Sequence, residues 1–192
     1  MSAQPWSNRF TLTEYFALER ASDRRFEYRD GAIVCMSGGT WQHTTIARNV
    51  FRALSRKLET ACQAYGADAP VYVPAGQPYR YADVSVVCGE PRFRSAETGI
   101  DALENPVMLI EVLSASSADY DRGTKFEEYK SVPTFAEYLL ISQDRPHVAR
   151  RSRNADGSWT ETTFEHLDET IRLETGGTDL TMREIYEGIP FG

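Results

Sequence analysis

Pro106-Val107-Met108-Leu109-Ile110-Glu111-Val112-Leu113 is an apolar run of strand length that carries one carboxylate, Glu111, near its C-terminal end. Apolar residues at consecutive positions, rather than at every second one, read as a strand buried on both faces. Alternation along such a strand puts Glu111 on the face of Val107, Leu109 and Leu113, so nothing on its own strand compensates it. An ionised carboxylate in apolar surroundings needs a hydrogen-bonded partner, a metal, or a proton held by a raised pKa. Two residues elsewhere can answer that need. Asp83 starts a second apolar run, Val84-Ser85-Val86-Val87-Cys88, and Lys125 lies on a helix expected just after the Glu111 strand.

At 192 residues the chain suits one domain, residues 1–192, long enough to bury a core without staples. A net charge of −7 and a pI of about 5.1 argue against avid, non-specific binding of nucleic acid over the whole surface, while leaving room for a local basic cleft. Cys35, Cys62 and Cys88 are odd in number, widely spaced and set in apolar segments, which reads as three reduced thiols, at least two of them buried, in a cytosolic protein. The polar stretch Met1 to Phe10 does not resemble a signal peptide, and no run is long enough to span a bilayer. The expectation is therefore a cytoplasmic chain with no membrane partner.

Outward from the central run, Thr11-Leu12-Thr13-Glu14 spells a capping box that opens a helix ending before Asp23. Asp30-Gly31 between Phe26-Glu27-Tyr28-Arg29 and Ala32-Ile33-Val34-Cys35-Met36 signals a hairpin, which puts Glu27 on a strand. Apolar residues at helical spacing from Ile46 to Ala61 predict one long helix from about Thr40 to Tyr65, stopped by Gly66, with His43 in its first turn. Arg48, Arg52 and Arg56 recur every four residues beside that stripe and read as a solvated face partly balanced by Glu59, ahead of a phosphate-contacting row. Val71-Tyr72-Val73 and Tyr79-Arg80-Tyr81 suggest an antiparallel ribbon turned by Gly76-Gln77-Pro78, and Gly89 to Asn105 a surface loop. Asp119 to Val132 predicts a helix ended by Pro133. Glu137 to Ser142 reads as a strand, His147–Arg151 and Trp159–Phe164 as a hairpin, Thr170 to Leu173 as a strand, and Leu180 to Tyr186 as a short amphipathic segment.

Two carboxylates on neighbouring strands can hold one divalent cation through hard oxygens, with waters completing the shell. Such a cation activates bound water and stabilises charge on a phosphoryl group, and a nearby lysine can orient or deprotonate the attacking water. Asp83 at a strand start and Lys125 on a helix are each common structural features, so their spacing weighs little. The residue that stands out is Glu111.

Phe26-Glu27-Tyr28-Arg29-Asp30-Gly31, His43 at the head of a long helix, Tyr81-Ala82-Asp83-Val84, Leu109-Ile110-Glu111-Val112-Leu113-Ser114 and Tyr120-Asp121-Arg122-Gly123-Thr124-Lys125-Phe126 together resemble the Uma-two family. So do Tyr129 and Pro133 through Glu137-Tyr138-Leu139. These are bacterial proteins of the PD-(D/E)XK restriction-endonuclease-like superfamily, and the resemblance runs from Phe10 to Arg150. It implies an α/β (α+β) fold with a restriction-endonuclease-like core, a central mixed β-sheet flanked by helices. It also implies Asp83 and Glu111 as the two acids and Lys125 in the role of the superfamily lysine, because Leu113 stands where that lysine is expected. Glu27 matches a further acid near the site and His43 a recurrent histidine.

The resulting expectation is a divalent-metal-dependent endonuclease acting on DNA. Asp83, Glu111 and the Val112 carbonyl would bind Mg²⁺ or Mn²⁺, Lys125 would position the water, and Glu27 and His43 would tune the site. Two other readings stay open: a catalytically silent nucleic-acid-binding or protein-interaction module, which the acidic charge favours, and a hydrolase of RNA or a small molecule at the same site. By analogy with the superfamily, a homodimer that cuts both strands is a further expectation.

Overall fold

The computed structural model describes residues 9–36, 39–58, 60–75, 79–95 and 100–191. The chain opens with α1 (Leu12–Ala21), capped by Thr11, whose hydroxyl accepts from the Glu14 N–H while Glu14 reaches back to the Thr11 N–H. The hairpin β1 (Phe26–Arg29) and β2 (Ala32–Cys35) follows. Its turn residues Asp30 and Gly31 both have positive φ, 47° and 88°, as a two-residue turn matched to strand twist requires. Next come α2 (Trp41–Lys57), β3 (Cys62–Gly66), β4 (Pro70–Tyr72), β5 (Tyr79–Tyr81), β6 (Val84–Cys88), β7 (Phe93–Ser95), β8 (Asp101–Leu103) and β9 (Met108–Leu113). The chain then runs through α3 (Ala118–Arg122), α4 (Thr124–Tyr129), β10 (Glu137–Ser142), β11 (Val148–Arg153) and β12 (Trp159–Phe164). It closes with β13 (Thr170–Leu173), β14 (Thr178–Thr181) and α5 (Met182–Ile185).

The central sheet has the order β12-β11-β10-β9-β6-β3, with β9 and β10 parallel and the other pairs antiparallel. It is the mixed α+β architecture expected from the sequence. All six residues of β9 are buried, as its unbroken apolar character implies. One face of the sheet, with Val84, Val86, Met108, Ile110 and Val112, packs on Ile46, Val50 and Leu54 of α2 and on Ile171, Leu180 and Ile185. The other face, with Leu109, Leu113, Tyr138 and Leu140, packs on Phe126 and Tyr129 of α4 and on Phe135, Val71 and Val73. A four-stranded sheet, β5-β4-β8-β7, sits beside it.

Four sequence expectations are corrected here. The long helix stops at Lys57, where Leu58 turns extended. Cys62 to Tyr65, assigned to that helix, and the expected stop Gly66 instead form β3 and pair with β6, because an open sheet edge outweighs the helical spacing of Ala61 and its neighbours. The stretch Gly89–Asn105, expected to be loop, contains β7 and β8 paired to each other. The helix after β9 is broken into α3 and α4 at Gly123 (φ −107°, ψ −95°) and ends at Tyr129. Leu180 to Tyr186 divides into the end of β14 and α5.

The cysteines also depart from expectation. Cys62 and Cys88 stand opposite each other across β3 and β6, with Cα atoms 4.0 Å apart, and form a disulfide; Cys35 is the free cysteine and is exposed. Two cysteines 26 residues apart are joined by strand register, a non-local property that their spacing does not encode. Arg48, Arg52 and Arg56 are exposed, as a solvated face requires. Arg52 pairs with Glu187, while Glu59, expected to balance the row, and the turn Gly76-Gln77-Pro78 lie outside the described residues.

Candidate functional site

The register of β6 on β9 pairs Val84 with Ile110 and Ser85 with Leu109. Carried one residue further, it sets Asp83, just ahead of β6, across from Glu111. Two acids 28 positions apart in sequence thus meet because antiparallel pairing aligns the start of one strand with the end of the other. Asp83 is fixed there by the Val112 N–H, which donates to its Oδ2 at 2.7 Å. Both acids line a cavity of about 1000 Å³, whose other walls include His43, Val112, Asp121 and Lys125.

Lys125 is buried on α4, with its Nζ 2.8 Å from Glu111 Oε1 and donating to the Tyr81 carbonyl at 2.8 Å. Asp121 Oδ1 lies 3.5 Å and Glu27 Oε1 3.7 Å from the same nitrogen. One ammonium therefore ties together the strand end that carries Glu111, the segment leading to Asp83, and two further acids. Burial alone would lower its pKa, but the carboxylates of Glu111, Glu27 and Asp121 outweigh burial and hold it well above the ordinary lysine value. A lysine so held stays protonated. So charged, it can orient a water or a phosphoryl oxygen.

Glu111 is in the reverse situation. Burial, aided by the charges of Asp121 and Asp83, pushes its carboxyl well above the ordinary value, against the pull of Lys125. Tyr129 donates to its Oε1 at 3.1 Å. Glu27 is fully buried behind Lys125 and does not line the cavity. It accepts from the Tyr81 N–H at 3.0 Å and from Arg29 at 2.7 Å, and despite burial the Lys125 charge, this N–H and Arg29 hold its pKa below the ordinary range. His43 Nε2 lies 3.3 Å from Asp83 Oδ2. Burial would lower the imidazole pKa, yet the hydrogen bond and charge of Asp83, with Asp121 and the Val112 backbone behind them, raise it.

All six residues named from the sequence are thus placed in or directly behind one cavity: Asp83, Glu111, Val112, Lys125 and His43 in its wall, Glu27 beneath. Sequence reasoning quoted Asp121 and Tyr129 within the family motifs and gave them no role at the site. Both stand four residues from Lys125, before and after it, and the i, i+4 neighbourhood of a helical lysine was the available signal. Among the described residues no group of three or more His, Cys, Asp or Glu side chains is set to hold a metal ion. Two hard carboxylates on one cavity wall, one of them short of positive charge, are what the site offers a cation.

Comparisons with known proteins agree with this architecture. The chain is 31% identical over 179 residues to the uncharacterized protein slr1290 of Synechocystis sp., covering 93% of this chain and 92% of that protein. It is 29% identical over 165 residues to the uncharacterized protein sll1609 of the same organism, covering 85% and 91%. The crystal structure of a putative nuclease belonging to DUF820 from Anabaena variabilis superposes with a TM-score of 0.72 at 17% identity, over 92% of this chain and 97% of that one, a likeness of fold. No helix among the described residues is long and apolar enough to cross a membrane. Residues 12–183 match the family described as "Uma2: Putative restriction endonuclease", and the chain belongs to that family.

Proposed function

We propose that this protein is a divalent-metal-dependent endonuclease that hydrolyses DNA phosphodiester bonds, working in the cytoplasm of a bacterium and, by analogy with its superfamily, as a homodimer. The observation that carries the reading is the meeting of Asp83 and Glu111 across β6 and β9 with Lys125 on Glu111. Asp83, Glu111 and the Val112 carbonyl would hold Mg²⁺ or Mn²⁺. Two carboxylates and a carbonyl suit a hard cation that keeps several of its waters. A cation bound there would lower the pKa of its water and take up charge on the phosphoryl oxygens. The Val112 N–H aims Asp83. Lys125 keeps Glu111 ionised once a cation shares it and offers a donor to the oxygen that gains charge, an electrostatic role that needs no proton exchange. Glu27 and Asp121 keep that ammonium charged and fixed. His43 supplies a polar contact to Asp83 at the cavity wall.

A net charge of −7 favours a second reading, a silent module that keeps the fold without cleavage. Calorimetric titration of Mn²⁺, with cleavage assays on DNA and RNA, separates the two. Wild type should bind Mn²⁺ and cut DNA, and Asp83→Asn and Glu111→Gln should each abolish both. Unchanged Mn²⁺ affinity in the two variants would remove the metal site, and cleavage of RNA alone would replace the substrate.

A further inference from the structure

Trp41 is 56% exposed, more than any other large apolar side chain among the described residues. It opens α2, whose core-facing stripe is Ile46, Val50, Ala53 and Leu54. At about 3.6 residues per turn Trp41 projects from the opposite side of the helix, so core packing does not account for it. The same turns build the cavity wall, which Thr40, His43 and Thr44 line. Thr44, three residues on, is the neighbour of Trp41 on the helix surface. A bare indole thus follows Thr40 directly and lies one helical turn before Thr44, both in the cavity wall, without itself lining the cavity. Arg24, in the turn between α1 and β1, is exposed, lines the same cavity and makes no ion pair among the described residues, whereas Arg25 is tied to Asp68 and Arg29 to Glu27.

We propose that Trp41 is a base-stacking platform and Arg24 a phosphate contact, so that the site takes an unpaired DNA strand rather than a duplex. The inference rests on the nuclease reading above and narrows its substrate. Duplex binding draws its affinity from many cations that displace counterions, and an acidic chain with one unpaired arginine at the cavity among the described residues has little to offer that mode. Stacking on an aromatic face is indifferent to net charge but needs a base free of its own stack, which an unpaired strand presents and a duplex withholds. Val34, Met36 and Ala47 in the cavity wall give the sugar and base edge an apolar surface.

The experiment is fluorescence anisotropy with a labelled oligodeoxythymidylate, an abasic strand of the same length and a duplex of the same length, each also assayed for cleavage with Mn²⁺. Wild type should bind the base-bearing strand roughly tenfold tighter than the abasic strand, which has the same charge, and tighter than the duplex. Trp41→Ala should bring the base-bearing strand down to the affinity of the abasic one, and Trp41→Phe should restore most of the difference. Arg24→Gln should weaken base-bearing and abasic strands alike and flatten the salt dependence. Equal binding of base-bearing and abasic strands by wild type, or an unchanged preference in Trp41→Ala, overturns the proposal even where DNA is cut. Trp41-dependent binding without cleavage of any strand would leave the proposal standing and sink the nuclease reading instead.

Discussion

Glu111 and Glu137 are buried carboxylates on the neighbouring strands β9 and β10, and they are held differently. Glu137 faces the α2 side of the sheet near the start of its strand. It takes Arg150 Nε at 2.7 Å, the Thr175 N–H at 2.9 Å, the Glu174 N–H at 3.3 Å and the Thr175 hydroxyl. Glu111 faces the opposite side near the end of its strand. It has one ammonium and one phenol, and that ammonium is shared with Asp121 and Glu27. A buried acid is therefore not in itself a sign of function. Glu137 has two backbone N–H donors and a hydroxyl besides a guanidinium that Glu174 also approaches at 3.6 Å, as a structural group needs, whereas around Lys125 acids outnumber cations beside an open cavity. The proposed cation site rests on this surplus of negative charge.

The largest expected effect comes from removing the shared cation. Lys125→Met leaves Glu27, Glu111 and Asp121 crowded in a buried space, and urea unfolding should show a loss of about 3–5 kcal/mol. Arg150→Met leaves Glu137 its backbone donors and should cost less, about 1–3 kcal/mol. Equal losses would erase the distinction between the two sites.

Neutralising each acid comes next and should give opposite signs. Glu137→Gln gives up charge-assisted bonds and should lose about 1–3 kcal/mol, while Glu111→Gln should leave stability unchanged or raise it. The pH dependence follows from the upward shift of Glu111. The unfolded residue releases its proton near 4.5 and the folded one only at higher pH. Between those values the unfolded chain binds fewer protons, so the contribution of Glu111 is present below 4.5 and is lost as pH rises. Thermal melts of Glu111→Gln should therefore gain on wild type as pH is raised above 4.5. A Glu111→Gln protein that is less stable at every pH would show that Glu111 is as well satisfied as Glu137.

The smallest effect sharpens the same point. Tyr129→Phe removes one donor from Glu111 and should cost about 1 kcal/mol, most of it vanishing when measured in a Glu111→Gln background. A full loss in both backgrounds would assign Tyr129 to packing alone.

What the sequence determined by itself was local. The Thr11 capping box, the Asp30-Gly31 turn and the burial of Met108–Leu113 on both faces follow from side chains that act within four residues of one another, and each appears in the structure where the sequence places it. Glu111 was legible for the same reason, since its conflict with an apolar strand is visible along the strand. Asp83 and Lys125 could be picked out as the candidates to answer Glu111, and His43 and Glu27 were named through a resemblance, but which atoms touch could not be read. Tertiary structure decided that arrangement. Strand register put Asp83 across from Glu111 and joined Cys62 to Cys88, and it claimed Cys62 to Tyr65 from the helix. The fold also decided that Lys125 serves three acids and remains charged, which no spacing shows. Pairing and burial are settled by which distant segments share a sheet, and their energies outweigh the fraction of a kcal/mol per residue by which local propensity prefers one conformation.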